Sequence, residues 1–342
     1  MACTLSDIAR AAGVAKVTVS MALRDTGRIS PETKARIKRI AAEMNYRPNN
    51  IARSLTAGRS TLVAVVVAPA ALPMFHLMMR PIEEGLQKAG YSMILYSATS
   101  TMDGQLVCTE QLLANRVAGV IVVAGSYFSD SEGYKELVDA GLSVVVISRR
   151  FPGLAVPQIA CDDYKIAKLA TEYLISLGHR RIGHLTIPMN TDAGLDRARG
   201  FESAMSDAGI PVNPDWVVET DLSEDAGFEA MSALLKTGDE PTAVITRHDA
   251  VAIGAMQGVF SAGKSVPDDI SIVGNGEIWR SDMLRVPLTT IRHPTEKMAA
   301  LGVERLLRSL AGDVVPPETE MLDVELIVRS SCQPILRKQS SL

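Results

Sequence analysis

Apolar residues Leu5, Ile8, Ala9 and Ala12 recur at helical spacing and form one stripe along an otherwise polar stretch. Thr4 stands where a helix cap belongs, with Asp7 three residues on as the partner of a capping box. Gly13 ends that helix. A second amphipathic pattern follows at once, offering Val14, Val17 or Thr18, Met21 and Ala22 for packing, so two short helices must cross at a turn of a few residues. The pattern predicts a helix-turn-helix. Ser30-Pro31-Glu32 then supplies a cap, a first-turn proline and an acid at the positive helix end. The helix it launches runs to about Met44, with Ile37, Ile40, Ala41 and Met44 at helical spacing. Tyr46-Arg47-Pro48-Asn49 breaks the pattern. Asn49 to Leu55 reads as a short helix that no isolated peptide can hold, and residues 56–60 as a linker.

From Thr61 the pattern changes to short β-branched runs alternating with helical stretches. The runs are residues 62–68, 91–96, 119–124, 143–147, 181–187, 243–246, 270–273 and 288–291. Helical patterns lie near 74–89, 103–116, 131–140, 163–178, 194–208, 223–237, 248–262 and 294–310. Buried parallel strands separated by helices predict doubly wound α/β sheets, and so many units predict two lobes. A late strand near residues 321–328 completes one sheet.

Charge divides the chain at the same place. Residues 1–59 carry eleven Lys or Arg against four acids, a net of +7 in a chain of −4, which leaves about −11 on the remainder. A basic head on an acidic body is what a phosphate-binding module joined to a soluble domain requires. The 342 residues, 47% of them hydrophobic, suffice for sizeable α/β cores. Four scattered cysteines, Cys3, Cys108, Cys161 and Cys332, show no metal spacing and fit free thiols in a reducing compartment. No cofactor or metal is expected. With no basic-then-apolar start and no apolar run of membrane-spanning length, the expected location is the cytoplasm, without membrane contact.

The stretches TLSDIARAAGVAKVTVSMAL, ISPETKARIKRIAAEMNYRPN and IARSLTAGRS, then VAVVVAPAALPMFHLMMRPIEEGLQKAGY, resemble the LacI family of bacterial transcriptional repressors. VAGVIVVAG, LISLGHRRIGHL, RARGF, ISIVGNGEIW and PLTTIRHP extend the resemblance over essentially the whole chain. It implies an α/β fold class: a small all-α helix-turn-helix head, then a two-lobed periplasmic-binding-protein-like body, each lobe a doubly wound parallel sheet. The implied domains are residues 1–46 for the head, 47–60 for a hinge helix and linker, and 61–342 for effector binding and dimerisation. Within the last, the amino-terminal lobe spans about 61–160 and 292–321, the carboxy-terminal lobe about 161–291 and 322–342, with crossovers near 160, 291 and 322. The implied partners are near-palindromic double-stranded operator DNA, a second copy of the chain, and a small-molecule effector in the inter-lobe cleft.

Carried over position by position, the resemblance places Lys16, Val17 and Met21 against base edges in the major groove, and Leu5, Ser6, Thr18 and Ser20 at phosphates. Arg28 and Asn49 join the DNA-binding set, and Leu55 matches a leucine that wedges into the minor groove and kinks the operator. Lys16 can bond guanine, whereas Val17 and Met21 offer only apolar contact, as to a thymine methyl. Ala15 replaces the serine cap usual at this helix start, a loss of roughly 0.5 to 2 kcal/mol.

The implied effector set is Phe75, Ser148, Arg149, Arg197, Leu222, His248, Asp249, Gly276 and His293. Arg197 matches an arginine that grips effector oxygens, and Phe75 matches an aromatic that supplies an apolar wall. Ser148 and Gly276 stand where the family commonly has aspartates, His248 where asparagine is usual, and Leu222 where some members stack a tryptophan. With two carboxylates gone, the expected effector is a sugar or an acidic or phosphorylated sugar derivative. Met74, Met78 and Met79 suit either a dimer face or plain core packing. The tail 333–342 lacks a leucine heptad, so a dimer is expected rather than a tetramer.

An enzyme has no chemistry to stand on here. The chain contains no GxGxxG after its first strand, no GxSxG, no GxxxxGK[ST] and no HExxH. The alternative of a solute-binding receptor fits the body but is opposed by the basic head and the missing export signal.

Overall fold

The structure is a computed structural model that describes residues 3–46, 60–67, 73–97, 102–124, 131–276 and 280–335. The chain divides into two compact units, residues 1–60 and 61–342.

Among its described residues the first unit has three helices, α1 (Leu5–Ala12), α2 (Lys16–Leu23) and α3 (Pro31–Glu43). The Asp7 N–H donates to the Thr4 hydroxyl at 3.3 Å while the Thr4 N–H donates to the Asp7 carboxylate at 3.0 Å, closing the capping box. Gly13 ends α1 in the left-handed region (φ 63°), where a side chain is strained. The Ser30 hydroxyl caps α3 by accepting the Thr33 N–H at 3.2 Å. Ala15 begins α2 with no side-chain cap.

Ile8, Ala9, Ala12, Val19, Ala22, Ile37 and Ala41 form the small core. The apolar pattern offers Val17 or Thr18 and Met21 for that core; the structure buries Val19 instead, leaving Val17 62% and Met21 37% exposed. α2 is only two turns long and α1 and α3 both pack on its Val19–Ala22 side. On the opposite side the Met21 side chain lies against Gly27.

The second unit holds two six-stranded sheets. Lobe A has strand order β11-β5-β4-β3-β1-β2 and lobe B has β12-β10-β9-β8-β6-β7. The strands of lobe A are β1 (Leu62–Val67), β2 (Ser92–Ser97), β3 (Gly119–Val123), β4 (Ser143–Ile147), β5 (Gln158–Cys161) and β11 (Thr319–Leu322). Those of lobe B are β6 (Ile182–Thr186), β7 (Val217–Glu219), β8 (Ala243–Thr246), β9 (Ser271–Asn275), β10 (Thr289–Arg292) and β12 (Glu325–Ile327). Every pairing is parallel except β10–β12. β1, β3 and β4 are nearly continuous Val and Ile and almost wholly buried, as strands covered by helices on both faces must be.

The covering helices are α4 (Pro73–Lys88), α5 (Met102–Ala114), α6 (Glu132–Asp139) and α11 (Thr295–Ala311) on lobe A, and α7 (Asp163–Ser176), α8 (Asp192–Asp207), α9 (Glu224–Lys236) and α10 (Asp249–Ser261) on lobe B. The buried Met78 belongs to the lobe A core, which decides for core packing at that position of the methionine group.

Three features depart from the pattern. β5 and β7 lack a β-branched run long enough to register. The late strand expected over residues 321–328 is two strands, β11 in lobe A and β12 in lobe B, because the chain changes lobe at Asp323 and Val324. It also changes lobe after β5 and after β10. The Lys165 ammonium and the Asp323 carboxylate, 2.5 Å apart, tie the first crossover to the third.

Candidate functional site

On the head, Lys16, Val17, Ser20 and Met21 lie on the side of α2 away from the small core, with Arg24 just after the helix. Arg24 donates to the Ser20 hydroxyl at 2.9 Å and to the Ser20 carbonyl at 3.1 Å. Ser20 is therefore not a bare hydroxyl: its oxygen is held by an arginine that sequence reading did not single out. Ser6 and Arg28 are exposed, Thr18 is half-buried, and Leu5 packs against the core.

Two acids of the head are occupied elsewhere. Hydrogen bonds from Thr4 hold the Asp7 carboxyl below its ordinary range, and those from Lys38 do the same for Asp25. Lys38 lies 2.7 Å from the Asp25 carboxylate and Lys34 3.8 Å. Among the described residues neither Lys16 nor Arg28 is in an ion pair.

In the body, the cleft is framed by the carboxyl ends of both sheets. Arg197 on α8 is 7% exposed; its Nε donates to Asp163 at 2.7 Å and its Nη1 to the Arg247 carbonyl at 2.8 Å. Asn275 Nδ2 donates to the same carbonyl at 3.0 Å, and Asn275 Oδ1 meets His293 Nε2 at 2.8 Å. A continuous polar chain thus runs from Asp163, just past the first crossover, to His293 in the second. Burial pushes His293 down to about 3 and His248 to about 4, with the Arg197 charge adding to both. Both imidazoles are neutral near pH 7.

Toward lobe A, a cavity of about 220 Å³ is lined by Arg149, Arg150, Asp162, Asp163, Asp192 and Asp196. Gln158 shapes the loop that carries the two arginines: its side chain accepts the Phe151 N–H at 2.6 Å and donates to the Phe151 and Leu154 carbonyls at 3.1 Å. Arg149 stacks over the Phe151 ring at 5.1 Å, and burial lowers its pKa. Arg150 reaches across to Asp196 on lobe B.

Residues 4–49 match the model of bacterial regulatory proteins of the lacI family, and residues 171–332 that of the periplasmic binding protein-like domain. The HTH-type transcriptional regulator DegA of Bacillus subtilis is 31% identical over 98% of this chain and 99% of its own length. The chain belongs to the LacI family. The HTH-type transcriptional repressor PurR of Mannheimia succiniciproducens is 29% identical over 97% of this chain and 99% of its own. Among solved structures, the Lac repressor dimer bound to operator and the anti-inducer ONPF superposes with a TM-score of 0.87 at 27% identity, covering 97% of this chain and 100% of that one. This LacI-family chain is accordingly a DNA-binding transcriptional repressor, not an enzyme.

The family effector positions are not equivalent in this member. Arg149, Arg197, His248, Gly276 and His293 converge on the cleft. Phe75 is 4% exposed and sits in the lobe A core rather than as an open wall. Asp249 is fully buried and accepts the Thr290 hydroxyl at 2.6 Å, which places it in the packing of lobe B. Leu222 is buried. Ser148 turns its hydroxyl to Met78 Sδ at 3.6 Å and holds the left-handed conformation (φ 75°) that swings Arg149 and Arg150 off β4. Asn49 and Leu55 lie outside the described residues.

The acids Asp163, Asp192 and Asp196 are the chief omission of the sequence reading. They offset the cleft arginines, so the missing aspartates at 148 and 276 do not leave a cleft of net positive charge. Asp162-Asp163 at the start of α7 reads as an ordinary capping pair. Nothing in the sequence says that the second acid meets Arg197, 34 residues away.

Proposed function

We propose that the chain works as a homodimer on near-palindromic operator DNA and represses a catabolic operon for a sugar or sugar derivative, released or tightened by that small molecule in the inter-lobe cleft. The observation that carries this is the pairing, in one chain, of a basic reading face with a cleft of converging buried donors. The domain boundaries are taken as 1–46, 47–60 and 61–342, with lobes of about 61–160 plus 292–321 and 161–291 plus 322–342. Lys16, Val17 and Met21 read bases, with Arg24, Arg28, Ser6 and Thr18 near phosphates; Asn49 and Leu55 act in the hinge, where Leu55 wedges the minor groove.

The mechanism is a coupling between two sites. The effector differs in affinity for two lobe arrangements, and only one arrangement sets both heads of the dimer in register on the operator. The coupling is reciprocal, so operator DNA changes effector affinity by the same factor as effector changes operator affinity. Support comes from the Lac repressor structure, a dimer on its operator with an anti-inducer.

The test is selection of bound DNA from a random pool with the full chain, then titration of the winning sequence at rising salt. A palindromic consensus bound less tightly as salt rises is expected; no DNA affinity at any ionic strength overturns the reading in favour of a solute receptor.

A further inference from the structure

His248 caps α10 with its ring: Nδ1 accepts the Ala250 N–H at 3.3 Å. A ring nitrogen that accepts a backbone N–H carries no proton, so the neutral ring is protonated on Nε2. The Nε2–H is a donor. Among the described residues it has no hydrogen-bond partner, although the residue is only 6% exposed. A buried orphan donor destabilises the protein, a loss that a ligand acceptor recovers.

The orphan is aimed at Gly276. A Cβ built on that residue would lie 3.3 Å from His248 Nε2, and the backbone there has φ +112°, a region that favours glycine. The gap exists because residue 276 has no side chain. A second donor stands beside it. Arg197 commits Nε to Asp163 and Nη1 to the Arg247 carbonyl, which leaves Nη2 without a protein partner among the described residues. The Arg247 carbonyl directly precedes His248 and also accepts from Asn275, which directly precedes Gly276. Both donors are thus anchored beside the same carbonyl.

We infer that the effector presents an anionic oxygen, carboxylate or phosphate, to His248 Nε2–H and Arg197 Nη2, entering the gap that Gly276 leaves. The inference rests on the effector-controlled reading above and names the chemistry of one end of the ligand. Its ground is the donor set, not the overall charge of the cleft, which the acids balance. An uncharged acceptor satisfies a neutral histidine, but an arginine and a histidine together favour an ionised one, whose hydrogen bonds are about twice as strong.

The experiment uses the full-length protein labelled with ¹⁵N-histidine, with His248→Leu identifying the His248 resonances. The Nε2–H tautomer is expected, and its signals should move on titration with acetate and with inorganic phosphate, the lower midpoint showing which oxyanion fits. Aldonates and aldose phosphates are then titrated beside the matching neutral aldoses. Wild type should bind at least one charged probe, and His248→Leu should bind it about tenfold or more weakly. An Nδ1–H tautomer, signals indifferent to both oxyanions, or tight binding of a neutral aldose unaffected by His248→Leu overturns the inference. If the variant does not fold, the tautomer and the oxyanion titration on wild type, assigned with His248→Gln, decide it. Loss of all DNA binding by wild type would refute the proposed function; retained operator binding with an indifferent His248 would refute only this inference.

Discussion

Arg150 of lobe A and Asp196 of lobe B meet across the cleft, guanidinium Nη2 to carboxylate Oδ2 at 3.1 Å. Asp196 is shared with Arg199 of its own helix, also at 3.1 Å. The pair bridges the two lobes outside the apolar cluster that also joins them, so it biases their relative pose without being part of that core.

Asp196→Asn should leave the fold intact. Arg150 is 45% exposed, and a half-exposed pair contributes up to about 1 kcal/mol. The expected result is a melting temperature nearly unchanged and effector affinity altered by up to about fivefold, an effect that vanishes for wild type in high salt. Isothermal titration at two ionic strengths measures both. An effect as large at high salt as at low would mean that the pair does not act through charge.

On the head, two substitutions should separate reading from gripping. Lys16→Ala should cost about 1–3 kcal/mol on the best operator and relax preference at one base pair per half-site. Arg28→Ala should weaken all sequences alike and reduce the salt slope by about one. Competition gel shifts against single-base operator variants discriminate the two, and identical sequence profiles for both variants would contradict the assignment of Lys16 to base edges.

Ala15→Ser should stabilise the start of α2. Ala15 already holds the extended backbone of a cap residue (φ −66°, ψ 148°) but offers no acceptor to the first turn. A serine hydroxyl should add about 0.5–2 kcal/mol, visible as slower amide hydrogen exchange at Val17 and Thr18. No change in their exchange would mean that the first turn is satisfied in another way.

The body should lose stability in mild acid. His248, lowered to about 4, and His293, lowered to about 3, stay neutral when folded, whereas unfolded histidines gain a proton below about 6.5. The unfolded chain then binds more protons, so stability is full above pH 6.5 and falls by up to about 1.4 kcal/mol per pH unit for each ring as pH drops toward 4. Urea midpoints measured from pH 7.5 to 4.5 should decline in wild type and decline less in His248→Gln; parallel curves would show that the ring does not stay neutral.

Much of the fold was legible because its signals are local. Caps at Thr4 and Ser30, the stop at Gly13, and the valine runs of β1, β3 and β4 each act within a few residues, where period and side-chain chemistry decide backbone conformation. β5 escaped because Gln158, Ile159, Ala160 and Cys161 carry no strand period, and their extended shape is imposed by pairing with β4 and β11. The apolar period alone left the face of α2 open, since Val17 and Val19 are equally apolar and the positions of α1 and α3 choose between them, in the sense the family resemblance implies.

By itself, then, the sequence determined the basic helix-turn-helix head, the alternating α/β body and the family to which the chain belongs, since these rest on neighbouring residues. Only the tertiary structure decided which arginine meets which acid, that Asp249 is buried and bonded to Thr290, and that α1 and α3 pack on Val19, which leaves Val17 on the outward side the resemblance implies. It also decided that His248 points an unsatisfied N–H at the bare α-carbon of Gly276. Residues 28 positions apart in sequence come into contact there because β8 and β9 lie side by side, a relation of strand order that no local pattern encodes.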